Sequence, residues 1–371
     1  MIRHIICHGV IIGIVSSVLI FLILLPGWNR NTLLMYSCIA GAPLVCMYMM
    51  KDIFVLSLIF PDIDYKYKRK VWIVFASMFI FTFGVYSSWL ILSIEWYYYG
   101  LDLMFYGAVI VVLYVIIQIF KRGTGYDKIT RLYSIPVATS VFYHAVYAFV
   151  VIPIFMGAAH DYILKFLTLS IFHPIATEMK MWVFRHYSDL YDKPYNLPSR
   201  SIFPMEYALN STFAYVLMTQ IQPIWLNIIC STMLTISTAS SRVLRARLDH
   251  ADHEGRNNFQ LIQDIASIIA SPVFVLYASP ELWSIRIVNT VQVMSVLTCY
   301  QLILLTVITY IENRIKETIV YRIDSVDDVP ISRTELILCC YTHIISTMYL
   351  IFNFRIWPML VICMSYGERC K

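Results

Sequence analysis

Polar positions in this chain punctuate long apolar runs. Runs of about 18 residues or more, the length that crosses a bilayer's hydrocarbon core, cover 5–25, 33–60, 71–94, 101–120 and 133–159. They recur at 205–241, 259–282, 285–311 and 335–363. No polar interval exceeds about 45 residues, less than an ordinary soluble domain needs. The pattern predicts an all-α fold: a polytopic transmembrane helix bundle forming one integral membrane domain over 1–371. It predicts about nine spans, within a range of eight to eleven.

Two stretches break the rhythm. Residues 162–184 hold an apolar run of about 11 residues, short for a crossing, with Lys165, His173-Pro174, Glu178 and Lys180 in or just after it. This predicts an interfacial or re-entrant helix. The run 205–241 is long for one span and carries Pro223. It reads as one kinked, tilted helix, because proline removes an intrahelical bond. If 162–184 crosses instead, 205–241 must form a tight hairpin around Gln220, Ile221, Gln222 and Pro223.

Composition agrees. The apolar fraction is 59 %, mean hydropathy is +0.69 and charged residues are 14 %, too little charge to coat a soluble domain. The net charge of +5 sits in connecting segments at 61–70, 121–131, 242–256 and 314–333. By the positive-inside rule these face the cytoplasm, with the N-terminus inside and the C-terminus outside. Plasma membrane and endomembrane fit equally well. The basic loops suit anionic lipid or a cytoplasmic protein as partner. A basic arm with interleaved aromatics is missing, so nucleic acid is excluded. Nine cysteines, an odd number with no CxxC, indicate neither a disulfide framework nor a zinc ribbon. Twelve glycines leave few positions for the broken midplane helices of many transporters. Nucleotide, zinc-protease and serine-hydrolase motifs are lacking, so neither an enzyme nor a cofactor is expected.

Three polar stripes carry the candidate chemistry. Gln260, Gln263, Asp264, Ser267 and Ser271 recur at helical spacing. Asn227, Ser231, Thr235 and Thr238 form a second stripe, and Asn289, Gln292, Ser295 and Cys299 a third. Lipid cannot satisfy these groups, so each stripe is expected to face protein or a wet cavity. As a ligand or ion pathway the residues are Asp264, Gln260, Gln263, Asn227, Asn289 and Gln292. Interhelical hydrogen bonding explains the same stripes. His144, His343 with Glu335, and Arg355 are further ionisable residues within spans. The run Asp249 to Glu254 has metal-ligand composition but reads better as a solvated face. Gly9 and Gly13 form a small-xxx-small contact pattern. Asn210-Ser-Thr212 matches a glycosylation acceptor at the membrane boundary, where it is expected to go unused. Receptor-like or signal-coupling function is the preferred reading. A small-solute or ion transporter using the seam between helices 205–311, and a structural or assembly subunit, stay open.

Overall fold

In a computed structural model, described residues comprise 2–24, most of 49–92, 97–157, 161–195, 203–219, 224–248, 253–278, 287–320 and 335–348, with Ile221 and Arg333 between them. All regular structure among them is helical. The elements are α1 (Ile2–Leu24), α2 (Tyr65–Leu92), α3 (Tyr97–Thr124), α4 (Ile129–Val146) and α5 (Ile152–Gly157). There follow α6 (Tyr162–Leu167), α7 (His173–Tyr195), α8 (Phe203–Thr219), α9 (Ile224–Leu248), α10 (His253–Ala278) and α11 (Ile287–Val320). The last is α12 (Glu335–Met348). Among the described residues four stretches are long and apolar enough to cross a membrane: Gly107–Thr124, Tyr133–Phe155, Ile224–Leu244 and Ser295–Ile315.

Two π-helical turns, Tyr147–Val151 and Thr168–Phe172, interrupt the helical ladder. Each is followed by one residue and then a proline, Pro153 or Pro174. Proline has no N–H to donate, and a π turn re-registers the ladder by one residue. The His173 N–H accordingly bonds the Thr168 carbonyl, five residues back. The second turn makes 162–195 helical well beyond its apolar run.

The chain divides into two compact units. One comprises 1–22, 149–179 and 203–371; the other comprises 23–148 and 180–202. In the second unit, α3 packs on α2 and α4. The basic residues Lys66, Lys68, Arg69 and Lys70, expected in a loop, lie in the first turns of α2. Gly125 ends α3 with φ +68° and donates to the Lys121 carbonyl at 2.9 Å, a left-handed cap that favours glycine. Tyr133 Oη donates to Asp52 at 2.8 Å, and Lys180 Nζ lies 4.3 Å from the Tyr143 ring centroid. His144 is buried here.

In the first unit, side-chain contacts fix the helix directions. Ser211 meets Asp264 and Thr212 meets Ser267, so α8 and α10 run parallel. Gln263 meets Cys339 and Ser267 meets His343, which makes α12 parallel to α10. A Cβ on Gly9 would sit 2.8 Å from Ile265 Cβ, and one on Gly13 2.8 Å from Ile269 Cβ. The glycine pair therefore lets α1 lie against α10, also parallel to it. Gln301 meets Ser231, and Glu312 meets Arg242, so α11 runs parallel to α9. Asn227 and Ser231 reach back to Met218 in α8, and α9 antiparallels α8.

The single kinked helix expected over 205–241 is therefore a helical hairpin. Pro223 cannot extend the ladder, the Ile221 N–H bonds the Met218 carbonyl at 3.1 Å, and Asn227 Nδ2 donates to that same carbonyl at 2.8 Å. One orphaned carbonyl at the end of α8 thus gains two donors. Since α1 and α8 are parallel, their N-terminal ends lie at the same end of the unit. An interfacial 162–184 followed by one span over 205–241 would put them at opposite ends, so the geometry favours the hairpin alternative.

Candidate functional site

α10 lies between α1, α8, α9, α11 and α12, and from Phe259 to Ser271 its apolar and polar positions alike are buried, with Ile269 half-buried. Gln260, Gln263, Asp264, Ser267 and Ser271 are all below one-tenth exposed. The stripe splits into two sides with different neighbours.

On one side Gln260 and Asp264 line a half-open cavity of about 40 Å³, room for about three water-sized groups. Its remaining polar wall is His173, Thr177 and Glu178 from α7, Asn210, Ser211 and Tyr215 from α8, and Thr238 and Ser241 from α9. Ser211 Oγ donates to Asp264 Oδ1 at 2.5 Å. The other Asp264 oxygen lies 3.5 Å from Arg242 Nη1. Arg242 is gripped in turn by Glu312 of α11: Nε lies 2.9 Å and Nη2 2.9 Å from Oε2. Arg242 is 1 % exposed, Asp264 6 % and Glu312 4 %. An arginine fork is the cation suited to such pairing, because it stays charged and engages both oxygens of a carboxylate. The cluster ties α9, α10 and α11 together from behind the cavity wall.

Asn210 stands apart. It is 4 % exposed, lines the cavity, and neither its amide nitrogen nor its amide oxygen has a hydrogen-bond partner. A buried amide left this way is disfavoured by about 1–3 kcal/mol, so the position calls for a group from outside the chain.

On the other side of α10 polar groups of three helices meet, although Gln263 Oε1 and His343 Nδ1 have no hydrogen-bond partner. Gln263 Nε2 donates to the Cys339 carbonyl at 3.1 Å, Ser267 Oγ lies 3.2 Å from His343 Nε2, and Thr212 Oγ1 lies 3.4 Å from Ser267 Oγ. Glu335 is buried in α12. This seam joins α8, α10 and α12.

Of the six residues proposed for the pathway, Asp264 and Gln260 share the cavity. Gln263 faces α12, and Asn227 sits at the turn end of α9, bonded to Met218. Asn289 and Gln292 lie in α11, with side chains outside the described residues. Ser295 and Cys299, the rest of that stripe, are on the outer surface of α11. Gln301 instead faces inward and donates to Ser231 Oγ at 3.0 Å, while Tyr300 Oη meets Thr232 at 2.7 Å. Arg355 and the side chains of 249–254 lie outside the described residues, and among the described residues no cluster of three metal-ligating side chains occurs.

Sequence reasoning missed Arg242, Glu312, Asn210 and His173. Arg242 opens a run with Arg245 and Arg247, which reads as loop charge. Its one distinguishing signal is seven-residue spacing from Thr235, two helical turns along the second polar stripe. Asn210 drew notice only as a glycosylation acceptor, a role its burial denies it. The chain matches no protein-family model, no curated protein and no solved structure.

Proposed function

We propose that this chain is a receptor-like, signal-coupling membrane protein that recognises a small polar ligand inside its bundle. The carrying observation is the cavity wall on which the unpartnered amide of Asn210 stands with Asp264. A ligand drawn to Asp264 competes with Arg242 for the carboxylate. Arg242 also holds Glu312, so occupancy alters how firmly α9 grips α10 and α11. Six residues past Arg242, α9 ends, which carries the change to the chain's basic 242–256 interval.

The same proposal sets the topology at eleven crossings, with the N-terminus cytoplasmic and the C-terminus outside. Counting α8 and α9 separately and letting 162–184 cross keeps 61–70, 121–131, 242–256 and 314–333 on one side, as the charge bias requires. It also moves 185–202 to the cytoplasmic side. The cavity then lies in the cytoplasmic half, since Asn210 is seven residues into α8, about 10 Å along its axis.

An ion or solute carrier is the second reading. It is favoured by the polar chain that continues from the Ser211–Asp264 pair through Thr212 and Ser267 to His343. Thr238→Cys in sealed vesicles of both orientations separates the readings through its reaction with a small, membrane-impermeant thiol reagent, measured above the wild-type background. Modification from the cytoplasmic face alone is the receptor-like result. Modification from both faces makes the protein a carrier. Protection from both faces removes the pocket and leaves a structural or assembly subunit.

A further inference from the structure

Resting on the pocket reading above, we propose that the cavity binds a small monovalent cation, an alkali ion or the ammonium head of an amine, between the Asn210 amide and the Asp264 carboxylate. Among the described residues the cavity wall includes two carboxylates, Asp264 and Glu178, and no lysine or arginine. That sign of charge repels anions and draws cations. Besides the His173 imidazole, the wall's other polar groups are the Thr177, Ser211, Tyr215, Thr238 and Ser241 hydroxyls and the Asn210 and Gln260 amides, so most of its donors are oxygens. Such hard donors suit alkali and ammonium ions, not soft metals.

Asn210 supplies what the carboxylates do not. Its amide can turn so that the carbonyl oxygen faces a cation while the nitrogen bonds a water of the same shell. Neither atom gives up a bond in doing so, because neither has a partner within the protein. A divalent ion fits poorly. The Arg242 guanidinium lies 3.5 Å behind Asp264, and two further positive charges would meet it across one carboxylate. Size narrows the ligand again: a cavity of about 40 Å³ is far below the several hundred Å³ of a drug-sized site, so it suits methylammonium but not a quaternary ammonium such as choline.

The test is thermal melting of the purified full-length protein at fixed ionic strength in sodium, potassium, methylammonium or choline chloride, with formamide as an uncharged molecule of similar size. The expected result is a saturable rise of roughly 3–5 °C over choline in an alkali salt or in methylammonium, with none from formamide. A response to alkali salts assigns a bare ion, and a response to methylammonium alone assigns an amine. Asn210→Leu removes an unpartnered amide and so spares the fold, yet it is expected to abolish the rise, as is Asp264→Asn. Identical melting in all four salts, an equal rise with formamide, or an undiminished rise in Asn210→Leu overturns the proposal. If Thr238→Cys is water-accessible while melting ignores the cation, the cavity stands and its cation falls. If Thr238→Cys is protected, the cavity itself falls.

Discussion

The two sides of α10 use the same residue types for different ends. Towards α12, Gln263 donates to the Cys339 carbonyl and Ser267 meets His343, closing a seam in which Gln263 Oε1 and His343 Nδ1 have no hydrogen-bond partner. Towards α7, α8 and α9, Gln260 and Asp264 border a cavity, a guanidinium shared with Glu312 stands behind it, and Asn210 lacks a partner. Helical spacing alone cannot separate these sides, because both satisfy the rule that polar groups in lipid must face protein or water. What separates them is the opposing helix. α12 meets α10 with a carbonyl and an imidazole, whereas α7, α8 and α9 leave a gap edged by the Glu178 carboxylate, the His173 imidazole, the Asn210 amide and several hydroxyls.

Breaking the charged side should have the largest effect. Arg242→Met leaves Asp264 and Glu312 buried beside each other without their shared guanidinium. It is expected to destabilise the unit by about 3–5 kcal/mol, read as loss of monodisperse protein on size-exclusion chromatography. Adding Asp264→Leu and Glu312→Leu to Arg242→Met should restore much of that loss, since a buried ion cluster replaced by apolar residues is often neutral.

A smaller effect is expected where α1 touches α10. Gly13→Val would drive a side chain into Ile269, an overpacking worth about 1–3 kcal/mol and visible as a lowered melting temperature. The same substitution should leave the thiol accessibility of Thr238→Cys unchanged, because Gly13 meets Ala266 and Ile269, on the face of α10 opposite Gln260 and Asp264.

Smaller still, His343→Leu removes one bond of the α12 seam, and interhelical bonds of this kind average about 0.6 kcal/mol. Melting should fall by a degree or two, with cavity accessibility intact. If His343→Leu instead costs as much as Arg242→Met, the two sides are not distinct. Cys299→Ser, on the outer surface of α11, should change melting least of all.

Much of this organisation is legible in the sequence. The apolar runs match helices α1 to α4, α10 and α11, although α11 extends to Val320, nine residues past its apolar run. Asp264 and Gln260 declare themselves by spacing, and the Gly9 and Gly13 contact is readable as helix packing, though not which helix it meets. The hairpin is legible only as an alternative, marked by Gln220, Gln222 and Pro223 within 205–241, because a proline there kinks or ends a helix depending on which donors are near. Met218 and Asn227 settle that through space. Arg242 is hidden for a related reason: one arginine in a basic cluster reads as a topology signal, and only the approach of Glu312 from 70 residues away makes it a buried tie.

The most direct measurement compares two cysteines on the two sides of this helix contact. Ser211→Cys lies at the cavity and Ser267→Cys in the seam, and each is treated with a small water-soluble thiol reagent in native membranes. Rapid modification at 211 with protection at 267 is the predicted result. Equal reactivity at the two positions, or protection of 211, would contradict the division of α10 into a wet side and a dry one.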